Sequence, residues 1–189
     1  MSPIKAVTVF CGAQSGRLPD HLAAAEALGA GLAEAGIRLV YGGGRVGMMG
    51  RVADAALAAG GQVTGVIPDF LTRLEVAHSG ASEMIVTDSM HTRKRRMFDL
   101  ADAFITMPGG LGTLDETFEI LTWRQLGLHD KPILLCDIAG SARPLVATIE
   151  AAIAEGFARP EIRRLYEVVE GVPALLARLA SLSAGAAGA

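Results

Sequence analysis

Two residues stand where their types could do chemistry: Glu116, which closes the run PGGLGTLDE that begins at Pro108, and Arg93 in MHTRKRR. Gly109, Gly110 and Gly112 strip that run of side chains, so its backbone N–H groups can converge on an anion, and a following helix adds the favourable end of its dipole. A carboxylate just inside the helix could then act on the molecule that carries the anion. Thr113 and Glu116 equally spell T-x-x-E, a capping box whose side chains only satisfy helix N–H groups, and the residues alone leave both roles open. Arg93 is marked by periodicity. At about 100° per residue, Met90, Met97, Leu100 and Ala101 share one stripe with Arg93, while Arg95, Asp99 and Asp102 lie opposite. An arginine turned toward a core near a helix start pairs with a carboxylate or a phosphate.

A second glycine loop, YGGGRVGMMG from Tyr41, satisfies G-x-G-x-x-G with Gly42, Gly44 and Gly47. It follows the second apolar run rather than the first, and the next run closes on Ile67-Pro68 with Asp69 beyond. No acidic residue therefore stands where the ribose of NAD would want one, which favours a phosphate site or a tight turn over an NAD site near Gly42 to Gly47. Neither loop carries the Gly-Lys-Ser/Thr of a P-loop, which favours a lone phosphate over a nucleoside triphosphate. The run RKRR has no interleaved aromatics, and a net charge of -3 gives no general attraction to nucleic acid or an anionic membrane. Cys11 and Cys136 are too few for a disulfide framework, and neither they nor His91 have a partner at metal-ligand spacing. A reducing, cytoplasmic setting without a bound metal is expected.

These residues need a frame to hold them. A chain of 189 residues, 51% hydrophobic and 20% charged, can bury one sizeable core, and one domain is expected over 1–182 with a disordered tail at 183–189. Apolar runs at 6–11, 37–41, 62–67, 83–86, 103–107 and 133–136 predict strands, nearly all without polar alternation and so buried on both faces. Helical periods at 20–35, 47–59, 89–101, 114–127 and 144–156 alternate with them, which predicts an α/β fold: a doubly wound parallel sheet with helices on both faces. In such a fold ligands sit beyond the carboxyl ends of the strands, where both glycine loops fall. The helix after Thr113 is apolar on two sides, Leu114, Phe118 and Leu121 on one, Ile120 and Trp123 on another shared with Glu116. One side can meet the sheet; the other needs a neighbouring helix or a second subunit. No apolar run approaches the roughly 18 residues of a membrane span, and no secretory leader is evident.

In order and spacing, VFCGAQSG, LVYGGGRVGMMG, GVIPDFL, DSMHTRKRRM, MPGGLGTLDETFEILTW and QLGLHDKPILLC resemble the Lonely Guy (LOG) family of cytokinin riboside 5'-monophosphate phosphoribohydrolases, from about Ala6 to about Gly156. The resemblance implies a Rossmann-like fold, a homodimer, and hydrolysis of the N-glycosidic bond between isoprenoid-bearing adenine, with plain AMP a further candidate, and ribose 5-phosphate. It implies that Arg93 and Glu116 are the catalytic pair. It further implies nucleotide contacts from Glu75, Arg93, Lys94, Gly110, Leu111, Gly112, Thr113, Leu114, Asp115, Glu116 and Thr122, a phosphate cradle that includes Gly43 and Gly44, and no metal or organic cofactor. The family is often labelled lysine decarboxylase, yet none of Lys5, Lys94 and Lys131 has a recognisable pyridoxal-phosphate setting. An alternative is a non-catalytic carrier of a phosphorylated ligand, as in relatives that bind molybdenum cofactor.

Overall fold

The computed structural model describes residues 3–72 and 77–187. The apolar runs become strands β1 (Ala6–Phe10), β2 (Arg38–Tyr41), β3 (Val63–Pro68), β4 (Glu83–Thr87), β5 (Ala103–Thr106) and β6 (Ile133–Asp137), joined by a further strand, β7 (Glu167–Glu170). All pair in parallel in the order β4-β3-β2-β1-β5-β6-β7. The central strands read as uninterrupted Val, Ile, Leu and Phe because both of their faces are covered. Helices α1 (Pro19–Glu34), α2 (Gly47–Ala58) and α6 (Gly171–Ala187) pack on one face, around Leu28, Leu32, Met48, Val52 and Leu175. The other face carries α3 (Met90–Leu100), α4 (Leu111–Gln125) and α5 (Arg143–Ala154), around Met97, Phe98, Phe104, Leu121 and Ile149.

The order turns back at β1, which lies between β2 and β5, with Val7 opposite Ala103 and Phe10 opposite Thr106. Loops leaving β1 and β5 diverge to opposite faces there, opening a crevice at the carboxyl ends. Asp102 fixes the other end of this pair: its carboxylate accepts the N–H groups of Lys5 and Ala6 at 2.8 and 2.9 Å.

Segments that differ from expectation include α6 itself, since no helical period is expected beyond 156. β7 has glutamates at both ends and lies at the sheet edge with Val168 exposed, so it lacks the apolar run that marks the central strands. Residues 183–187, expected to be disordered, continue α6, since alanine favours helix and the Ser183 hydroxyl accepts the Ile4 N–H at 3.1 Å. Residues 188 and 189 lie outside the described residues. Helix α4 starts at Leu111, three residues ahead of the expected start at Leu114. Among the described residues no helix is long and apolar enough to cross a membrane.

Candidate active site

A cavity of about 550 Å³ occupies the crevice. Cys11 to Gln14, the loop that leaves β1, form its floor; Gly16, His21, Met48 and Met49 line it from the side of α1 and α2. Across from them stand Arg93 from α3, the stretch Pro108 to Thr113, and Glu116 from α4, with Ser141 contributed by the loop after β6.

Arg93 is buried, 5% exposed, as its place on the apolar stripe requires. Its Nε donates to the Val66 carbonyl at 3.0 Å and its Nη2 to the Gly42 carbonyl at 2.9 Å. Nη1 lies 3.7 Å from Glu116 Oε1 and also faces the Met90 sulfur. One guanidinium thus clamps β3, the loop after β2 and α4 together, a use of its rigid fork of donors that a lysine cannot reproduce. The clamp dictates glycine at 42: a Cβ there would stand 2.3 Å from Arg93 Nη2. We predict that Gly42→Ala displaces the guanidinium and lowers turnover at least about tenfold while thermal unfolding shifts modestly, as misplacement near a reacting centre does; paired activity and melting measurements check this.

The position of α4 excludes the capping box. Gly110 is the N-cap and Thr113 the third helical residue, so Thr113 cannot cap the helix and the T-x-x-E box does not form. Glu116 sits in the second turn, 8% exposed, turned to the cavity and to Arg93. Its neighbour Thr117 locks this turn to the sheet, its hydroxyl 2.9 Å from that of Thr106 on β5 and donating to the Thr113 carbonyl at 2.7 Å. The start of α4 is equally close-packed: a Cβ on Gly109 would lie 2.1 Å from Thr113 Oγ1. Burial, and then the charge of Glu116, push the Cys11 thiol well above its ordinary range. Cys11 is therefore an inert apolar floor rather than a nucleophile.

Of the expected site residues, Arg93, Gly110, Leu111, Gly112, Thr113 and Glu116 meet in this cavity. Lys94, next to Arg93 and about 100° round the helix, points instead to Asp115 at 3.0 Å and Glu119 at 3.2 Å on the outer side of α4. Leu114 lines a smaller neighbouring cavity, and Thr122 is exposed over α5, its hydroxyl donating to the Phe118 carbonyl. Gly43 and Gly44 do not line the cavity either. They are buried against the sheet, Gly43 with φ +79° and its carbonyl accepting the His78 N–H. Glu75 lies outside the described residues. The floor loop, His21 and Ser141 were not expected at the site; their only signal in the sequence is that the β1 and β6 loops open at the carboxyl ends of strands.

A family model described as "Possible lysine decarboxylase" matches residues 49–179. The cytokinin riboside 5'-monophosphate phosphoribohydrolase of Rhodococcoides fascians is 48% identical over 178 residues, which cover 94% of this chain and 90% of that protein. The chain belongs to the LOG family. A second LOG relative, cytokinin riboside 5'-monophosphate phosphoribohydrolase LOG7 of Arabidopsis thaliana, is 45% identical over 87% of this chain and 76% of its own length. The fold extends further: the molybdenum cofactor binding protein of Rippkaea orientalis superposes with a TM-score of 0.72 at 23% identity, covering 96% of this chain and 98% of that one. The decarboxylase description finds no lysine to support it in this LOG chain. Among the described residues none lines the cavity; Lys94 is paired outside it, and Lys131 donates to the Phe98 carbonyl.

Proposed function

We propose that this LOG-family chain hydrolyses the N-glycosidic bond of cytokinin riboside 5'-monophosphates, and of AMP, releasing free base and ribose 5-phosphate. The observation that carries this is the buried Arg93–Glu116 pair facing the same cavity as the glycine-rich start of α4. The names of the relatives, at 42 to 48% identity over most of the chain, support the same activity. A carrier would need the fold and the anion-binding loop but no buried carboxylate beside them, and the carrier-like structures at 23% identity or below share the fold alone.

The free N–H groups of Gly110 to Thr113 at the start of α4 receive the 5'-phosphate, where the helix dipole favours negative charge. Binding energy from that remote group positions the ribose for reaction. Cleavage develops oxocarbenium character on the sugar, and Glu116 stabilises that charge and takes a proton from the attacking water, as carboxylates do in glycoside hydrolysis. Arg93, its fork of donors fixed by two carbonyls, serves as the cation that holds Glu116 in register. The chain works as a cytoplasmic homodimer: Phe118 on the first side of α4 and Trp123 on the second are only partly covered, and Leu126 and Leu128 at its end are exposed.

The test is chromatographic. Isopentenyladenosine 5'-monophosphate, AMP and the unphosphorylated riboside are incubated in parallel with the protein, and free base and ribose 5-phosphate are measured. Base released from the nucleotides but not from the riboside is expected; no base from any of them would leave the carrier role.

A further inference from the structure

The crevice has two walls, and the chemistry above uses one. Arg93 and Glu116 come from the helices on one face of the sheet; α1, on the other face, brings His21 to the same cavity. Among the described residues, four lining side chains can ionise: Cys11, His21, Arg93 and Glu116. The thiol is held protonated by burial, the guanidinium is committed to two carbonyls and to Glu116, and Glu116 attends the ribose and its water. Histidine is the side chain suited to give and regain a proton near neutrality. His21 is also held in place. It lies in the first turn of α1 with its N–H donating to the Leu18 carbonyl at 3.1 Å. Gly16, at φ +73°, folds the β1 loop onto the ring, so close that a Cβ there would stand 2.5 Å from Nδ1.

Adenine leaves poorly as an anion and readily once a ring nitrogen is protonated. When water adds at C1', it and the departing base occupy opposite faces of the sugar, which calls for two groups on opposite sides. Glu116 and His21 stand on opposing walls. Resting on the hydrolase function proposed above, we propose that His21 is the general acid that protonates the departing base. The imidazolium N–H gives its proton to a purine ring nitrogen as the C1'–N9 bond breaks and its electron pair passes to the base. The water oxygen bonds to C1' and loses a proton to Glu116. One water is consumed, and both side chains recover their starting states by exchanging one proton through solvent.

The test compares the wild-type protein with His21→Gln on two substrates: the nucleotide cleaved fastest in the assay above, and its N7-methyl derivative, whose base is already cationic and leaves without a proton. On the ordinary nucleotide kcat should fall about 10²- to 10⁴-fold, the usual worth of a general acid, with KM little changed. On the methylated nucleotide the variant should match the wild type. His21→Ala should show the same split between substrates, with an unfolding temperature close to wild type. Equal losses on both substrates, no loss on the ordinary one, or a methylated nucleotide that the active wild type leaves intact would each overturn the role. A wild-type protein that cleaves no nucleotide would instead remove the hydrolase function on which the role rests, so the two failures are distinct.

Discussion

Glu116→Gln should lower kcat by about three orders of magnitude, within the range by which a single charged catalytic group acts, while KM and the unfolding temperature stay near wild type. The amide keeps the shape of the carboxylate, and Thr117 still locks the same turn to Thr106 and the Thr113 carbonyl. What disappears is the negative charge that the proposed mechanism uses to stabilise the oxocarbenium ion and to accept the proton of water. Single-turnover base release, together with calorimetric binding of the nucleotide, separates these terms. Weakened binding with unchanged kcat would make Glu116 a binding group, and full activity would make it a structural partner of Arg93 alone.

Arg93→Ala should be the most damaging substitution to the molecule as a whole. It removes the donors to the Val66 and Gly42 carbonyls and takes the cation away from a carboxylate that is 8% exposed. Removing one partner of a buried charged pair costs about 3 to 5 kcal/mol, which for a chain of this size lowers the melting temperature by roughly 6 to 20 °C. Activity should fall beyond detection. Arg93→Lys discriminates between charge and geometry: a single ammonium restores a positive charge near Glu116 but cannot span both carbonyls. It should recover part of the stability and little of the activity. Recovery of both would show that charge alone suffices, and thermal unfolding run beside the base-release assay reads the two quantities together.

The central sheet was legible because strands buried on both faces need continuous apolar runs, and β1, β2, β3, β5 and β6 have them. β7 was not, since an edge strand flanked by glutamates has no such requirement. Arg93 was legible by the conflict between its charge and its stripe, and the structure resolves the conflict with two carbonyls and a carboxylate. Glu116 was ambiguous because T-x-x-E is a strong local signal. The helix began earlier than that signal implied, with Gly110 at its cap. Lys94, Asp115 and Thr122 came from resemblance alone, and rotation about their helix axes carries them away from the cavity. His21 and Ser141 were invisible for a different reason: nothing in a chain read one element at a time states that the loops after β1, β5 and β6 converge. His21 even precedes the 49–179 stretch matched by the family model.

The seam between β1 and β5 joins Val7–Phe10 to Ala103–Thr106, segments far apart along the chain. Contacts of such long sequence separation are entropically expensive to close and tend to form late in folding. Each half of the chain could build its own strands and helices first and still have no crevice, because His21 belongs to the segment after β1 and Glu116 to the segment after β5. The crevice in this protein is therefore a property of the completed seam: a partly folded species that lacks the β1–β5 pairing does not bring the segment after β1 and the segment after β5 to one cavity.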